Sequence, residues 1–235
     1  MCRPSAGSTS GVGIVLCASG SVSWKNPAVQ VYVKRLVQEL SIGLGGVLAV
    51  AVATASAVEP AKAYFAGGCF WCMEEAFEQV EGVLAVTSGY MGGHKPNPTY
   101  EEVSAGGTGH AETVEVLYDP TRVSYQQLLE HFWRNVDPLT PNGQFCDYGN
   151  QYRSVIFYSN DNEKQLAEAS REALVQSKRF KNPIVTEIIR ASTFYPAEAY
   201  HQDFYKKHPI RYRFYKTACG RAQRLEELWG PLHAR

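Results

Sequence analysis

The chain has 235 residues and 45% hydrophobic content, enough to bury an ordinary core, which excludes wholesale disorder. Its 23 Lys and Arg residues balance 23 Asp and Glu residues, so no net field favours nucleic acid or an acidic membrane surface. The expected partner is therefore small or local, and the chain is expected to work as a monomer.

The first acidic residue is Glu39, and the segment before it is rich in Ser, Gly and Val. Lys34 and Arg35 precede an apolar, small-residue run from Ile42 to Ala53, and Ala55-Ser56-Ala57 follows with the A-x-A spacing of a cleavage site. That order is the order of a secretory signal peptide, with a mature product starting near Val58. A spanning helix fits less well, because the run is shorter than the ~20 residues a bilayer core requires and contains Gly43, Gly45 and Gly46. Export to a periplasm or the exterior is the expectation; an acid-poor organellar transit peptide, or a cytoplasmic chain, is the alternative. Residues 1–57 thus read as an N-terminal extension with a signal peptide, its first 30 or so unstructured or an overlong start, and residues 58–235 as one domain.

Removing residues 1–57 also removes Cys2 and Cys17, leaving Cys69, Cys72, Cys146 and Cys219. Four cysteines in so long a mature chain are too sparse for a disulfide scaffold. Their role is sought in chemistry.

In chain order, Ala61 to Ala66 reads as a strand ended by Gly67-Gly68, and Cys69 to Val80 as a helix with Phe70, Met73, Ala76, Phe77 and Val80 at helical spacing. A second strand runs from Val83 to Tyr90, and a Gly- and Pro-rich connection to Gly109 holds the capping-box sequence Thr99 to Glu102. Val114, Val116 and Tyr118 alternate with Thr113, Glu115 and Leu117 in a third strand closed by Asp119-Pro120. Ser124 and Gln127 then open a helix whose stripe is Tyr125, Leu128, Leu129, Phe132 and Val136, stopped by Pro138. A fourth strand covers Tyr152 to Tyr158, a helix Asp161 to Ser177 and a fifth strand Ile184 to Arg190. The central order β-α-β-β-α-β predicts an α+β, two-layer split-βαβ (ferredoxin-like) sandwich with a mixed, mostly antiparallel sheet. The tail from Pro196, rich in Tyr, His and Lys, reads as irregular segments over the sheet.

A thiol attacks as thiolate, and a free one near pKa ~8.5 is mostly protonated at neutral pH. Cys69 stands where a helix begins, and there free N–H groups and the dipole favour an anion. Gly67 and Gly68 let a substrate approach the backbone. Cys69-Phe70-Trp71-Cys72 alone has three readings: a zinc half-site, for which Cys146 and Cys219 supply no suitably spaced second pair; a thioredoxin-type dithiol; or two buried structural cysteines. A split-βαβ binding module is the non-enzyme alternative.

The longer string Gly67-Gly68-Cys69-Phe70-Trp71-Cys72-Met73-Glu74 resembles the signature of the A-type peptide methionine sulfoxide reductases. The resemblance continues through Ser88 to Gly93, Asn97-Pro98-Thr99-Tyr100, Gly109-His110-Ala111-Glu112, Gly149 to Ser154 and His201-Gln202-Asp203, covering nearly all of Tyr64 to Trp229. It implies that Cys69 attacks the sulfur of the S epimer of methionine sulfoxide, free or in proteins, releasing methionine and leaving a cysteine sulfenic acid. It implies Glu112 as the acid, which strand parity supports by placing it with Val114 and Val116; an exposed carboxylate at the strand end is the alternative. Tyr90 and Tyr152 match the family tyrosines that hydrogen-bond the sulfoxide oxygen, Phe70 and Trp71 the apolar wall about the substrate methyl, and Asp147 the acid that binds the substrate amide. His201 falls in a family motif near the site and joins the substrate-binding candidates, with a structural histidine as the alternative. Turnover then needs a thioredoxin-like reductant, without metal or cofactor, and a resolving thiol. Cys219, on a tail taken as mobile, is the first choice, Cys72 the second and Cys146 the third. A thiol-disulfide oxidoreductase using Cys69 and Cys72 is the rival enzyme.

Overall fold

The computed structural model describes residues 58–231; the signal-peptide expectation for residues 1–57 lies outside the described residues. Strand β1 (Ala61–Gly67) leads into helix α1 (Phe70–Glu78), and β2 (Val83–Met91) is followed by α2 (Tyr100–Ser104) and β3 (Ala111–Tyr118). Helix α3 (Tyr125–Arg134) precedes the two-residue strands β4 (Gly143–Gln144) and β5 (Asp147–Tyr148), a 3-10 turn (Asn150–Tyr152) and β6 (Ser154–Tyr158). Helix α4 (Asp161–Gln176), β7 (Glu187–Arg190) and β8 (Tyr195–Pro196) complete the sheet, and α5 (Phe204–Lys207), α6 (Pro209–Ala218) and α7 (Arg221–Trp229) close the described chain. No described helix is long and apolar enough to cross a membrane.

The main sheet has the order β7-β6-β1-β3-β2-β8. Its pairings are antiparallel except β6 with β7, which is parallel. The result is an α/β fold with a mixed sheet. Strand alternation explains why β1 sits at its centre. Ala63 and Phe65 point to the helical layer, where Phe65 stacks on Phe77 at 4.9 Å and Phe132 at 5.3 Å between ring centres. Ala66 points the other way, to Met91, Val155 and Phe157. Each of the larger side chains fully buried there contributes roughly 1.5–3 kcal/mol.

The helix starts follow their capping residues. Thr99 accepts from the Glu102 amide while Glu102 accepts from the Thr99 amide, and Ser124 and Gln127 repeat the arrangement. Local signals fail in the tail, where the expected irregular segments are three helices. Pro209 sets the first turn of α6, Gly220 at φ 66° separates α6 from α7, and α7 buries Leu225, Leu228 and Trp229. Tertiary packing decides this region: the Trp229 indole donates to the Val136 carbonyl at 3.0 Å.

The structure also corrects the picture of Cys219 on a mobile tail. Cys219 ends α6 and is bonded to Cys146, in the turn between β4 and β5. The bridge spans 73 positions of sequence, and a loop of that size restricts the unfolded chain by on the order of 4 kcal/mol in the chain-entropy picture. Cys219→Ser is therefore expected to lower the unfolding free energy by about 2–4 kcal/mol, measured as a shift in the urea midpoint. A midpoint unchanged by the substitution would show that the bridge does not hold α6.

Candidate active site

The turn between β1 and α1 admits only glycine at two successive positions. A Cβ on Gly67 would come within 2.6 Å of Met73 Sδ and 2.8 Å of Val136 Cγ1. Gly68 has φ +85°, and its Cβ would lie 2.5 Å from Gln144 Cβ. So tight a turn delivers Cys69 to the N-cap of α1, where its carbonyl receives the Cys72 and Met73 amides at 3.1 and 3.3 Å. Both sulfur-bearing side chains are sheltered, Cys69 at 5% exposure and Cys72 at 4%, and the two thiols hydrogen-bond each other.

Burial sets the charge of this pair. Desolvation drives the Cys69 thiol up, helped by Cys72 and Glu112 and opposed by the Tyr215 hydroxyl. The bond from Cys69 brings Cys72 down to about 6 against its own desolvation, with Arg221, Tyr212 and Lys216 assisting. The pair thus holds one proton and one negative charge at neutral pH, the charge resting on Cys72. The helix start favours Cys69 as thiolate by only about 0.3–1 kcal/mol, less than the several kcal/mol of burial.

Glu112 lies on β3 with Val114 and Val116 facing the helical layer, at 3% exposure. Its Oε2 accepts the Phe70 amide at 2.9 Å. Burial pushes its carboxyl up to about 8, the Phe70 bond opposing and Asp147 and Cys72 adding, so it keeps a proton at neutral pH. Tyr152, in the 3-10 turn, is raised by burial and feels Glu112, Tyr100 and Cys69.

Tyr90 stands elsewhere than expected. It is fully buried against Phe70, with 5.9 Å between ring centres, and its hydroxyl donates to Glu198 Oε2 at 3.0 Å. Both tyrosines feel Glu112: the Tyr100 amide donates to Glu198 Oε1 at 2.8 Å, and its hydroxyl, raised by burial, also feels Cys69 and Asp147. Asn97-Pro98-Thr99-Tyr100 carried the signal, but its capping box explained it as local structure alone.

Phe70 and Trp71 form one wall. Trp71 stacks on Phe204 at 3.7 Å, and its indole donates to His201 Nδ1 at 3.1 Å, which places the hydrogen of a neutral His201 on Nε2. Burial lowers the His201 pKa, and its ring packs on Phe70 and Tyr100. Asp147 accepts the Tyr215 hydroxyl at 2.5 Å, and burial raises its carboxyl while Tyr215 and Arg221 oppose.

Three participants, Tyr212, Tyr215 and Arg221, went unread because they lie in the tail. Tyr212, Tyr215 and Cys219 follow at helical spacing on one face of α6, reaching Cys72, Cys69 and Cys146 in turn. Arg221, at 4% exposure, donates to the Asn135 carbonyl at 2.6 Å and to Met73 Sδ at 3.1 Å. Among the described residues two donor groups lie close enough to share a cation, Cys146, Asp147 and Cys219, and Glu74, Glu78 and Asp203. In the first the sulfurs are bonded to each other, and in the second the Lys206 ammonium already bridges Glu78 and Asp203.

A family model described as peptide methionine sulfoxide reductase matches residues 61–232. The MsrA of Bacillus subtilis (strain 168) is 53% identical over 168 residues, 72% of this chain and 95% of that protein. The MsrA of Listeria innocua is 54% identical over 168 residues, with the same coverage of 72% and 95%. Of solved structures, reduced Mxr1 of Saccharomyces cerevisiae is similar with a TM-score of 0.61 at 30% identity, over 65% of this chain and 87% of that one. The methionine sulfoxide reductase A of Corynebacterium diphtheriae is similar with a TM-score of 0.59 at 34% identity, over 66% and 78%. With a sheltered thiol at a glycine-hinged helix start, a proton-holding glutamate beside it and these relatives across its whole described domain, the chain belongs to the peptide methionine sulfoxide reductase family.

Proposed function

We propose that this protein reduces the S epimer of methionine sulfoxide, free or within proteins, and that Cys69, Glu112, Tyr100 and Tyr152 carry the reaction. The observation that supports this most directly is the pairing of a buried thiol with a buried carboxyl that keeps its proton, joined through the Phe70 amide. Passing its proton along the hydrogen bond to Cys72 makes Cys69 the thiolate. Cys69 attacks the sulfoxide sulfur, Glu112 gives its proton to the oxygen, and methionine leaves while the oxygen stays on Cys69 as a sulfenic acid. Tyr100 and Tyr152 hold that oxygen, and Phe70 and Trp71 offer the substrate methyl an apolar face.

Cys72 is the resolving thiol in this scheme. It already touches Cys69 and is the more acidic of the two, whereas the Cys219 sulfur is tied to Cys146. A Cys69 to Cys72 disulfide forms with loss of water, and a thioredoxin-like dithiol reopens it. The apolar run and cleavage spacing of residues 42–57 favour export, and the strand order β6-β1-β3-β2 favours a split-βαβ, ferredoxin-like core.

In single turnovers without donor, methionine formation is expected to rise with pH through about 6, as the thiol pair gains its charge, and to fall through about 8, as Glu112 loses its proton. Glu112→Gln should remove the upper limb and slow the step by about 10²- to 10⁴-fold, while a thiol-disulfide oxidoreductase would lose nothing. Cys69→Ser should release no methionine, and any stoichiometric release by it would overturn the assignment. Given a thioredoxin-like donor, Cys72→Ser should stop after about one methionine per enzyme while Cys219→Ser continues to cycle; the reverse would make Cys219 the resolver.

A further inference from the structure

Closing a sulfenic acid to a disulfide requires the attacking thiol to shed its proton and a separate acid to protonate the oxygen that departs from Cys69. Glu112 has by then given its proton to the oxygen now on Cys69. When the Cys72 thiolate attacks that sulfur, the S–O bond breaks with its electron pair on oxygen, and hydroxide departs only if it is protonated to water. Whichever thiol attacks, the oxygen leaves from Cys69.

The group placed to supply that proton lies on α6. Tyr215 packs in the cluster of Cys69, Cys72, Phe204 and Tyr212, its ring set edge-on to Trp71 at 6.0 Å between centres. Its hydroxyl faces the Cys69 thiol, whose pKa it lowers, and is 2.5 Å from Asp147 Oδ2. Asp147 is only half-buried, next to the exposed Cys146 and Tyr148, so its carboxyl connects the phenol to solvent.

We propose that Tyr215 is a second catalytic acid of the cycle: its hydroxyl protonates the hydroxide leaving Cys69 as the disulfide closes, and Asp147 returns a proton to it from water. Cys72 first releases to water the proton it took from Cys69, and one proton from water returns through Asp147, so one sulfenic acid and one thiol give one disulfide and one water. Burial raises the Asp147 carboxyl, which suits it to carrying a proton for part of the cycle. The assignment rests on Cys69 forming the sulfenic acid, as proposed above.

Tyr215→Phe keeps the ring and removes only the hydroxyl. After mixing with a molar equivalent of a methionine sulfoxide substrate without donor, methionine formation is expected to slow only as far as the Cys69 thiol loses the help of that hydroxyl, while loss of the Cys69 sulfenic acid slows by a further factor on the order of 10². The intermediate should then accumulate as a Cys69 adduct of a cyclic 1,3-dione, read by peptide mass. Asp147→Asn, which cannot pass a proton, is given saturating substrate because Asp147 is also a candidate for binding the substrate amide; timed from the formed sulfenic acid, it should prolong the same intermediate and covers the case of a poorly folded Tyr215 variant. Unchanged closure in both variants would overturn the proposal, as would an equal slowing of both steps, which a merely positional role predicts. No methionine from the parent protein would instead remove the reductase scheme, and this proposal with it.

Discussion

Taking a thiolate out of water costs several kcal/mol, and the helix terminus returns about 0.3–1 kcal/mol of it, so a buried sulfur nucleophile needs a full positive charge nearby. At Cys72 the Cys69 thiol lowers the cost first, and Arg221 adds the positive charge. Its guanidinium is buried, reaches the Gly67 carbonyl at 3.4 Å, and lies 4.4 Å from the Phe145 ring centre. Among the described residues no carboxylate forms an ion pair with it, which leaves its field to the thiol pair and Asp147. The placement opposes a local preference, because a cation at the first position of α7 meets the positive end of that helix. Such conflicts between local and global preference are expected where chemistry is done.

The site is assembled from parts distant in sequence, each fixed by a different physical device. Steric exclusion at Gly67 and Gly68 sets the direction of α1 and hence the thiol. Strand parity on β3 sets Glu112. A capping box sets Tyr100. The fourth part, α6, is secured by a covalent bond at one end and by Tyr212 and Lys216 on Glu75 along its length. Its inner face carries two phenols to two sulfurs, and its outer face leaves Ile210 and Phe214 exposed. Without the bridge that helix would be held to the thiols mainly by polar contacts.

Much of this was legible in the sequence where the signal is local. The glycine pair, the two capping boxes and the alternation of β3 each act over a few residues, so Cys69 at a helix start and the parity of Glu112 with Val114 and Val116 could be read without coordinates, while the role expected of Glu112 came mainly from the family resemblance. Tyr90 and Tyr100 could not be told apart that way, because both lie in family motifs and the difference is where each hydroxyl ends. Tyr90 faces Glu112 across the β2 and β3 pairing, yet its phenol runs to Glu198. The tail was misread for a related reason. Its helices of 4, 10 and 9 residues are too short and too polar to announce themselves by periodicity, and helices of that length owe their existence to packing. Arg221, Tyr212 and Tyr215 were hidden along with it.

The two outermost strands have a consequence for how these molecules meet one another. A sheet edge offers unpaired amides and carbonyls to any passing strand, and long flat edges invite stacking into aggregates. Here β7 is four residues long and begins and ends on exposed charges, Glu187 and Arg190, and β8 is two residues long and ends in Pro196, which has no amide hydrogen to donate. Neither border offers a run long enough to template another chain. Two copies of the molecule can therefore meet edge to edge without the sheet of one extending into the other.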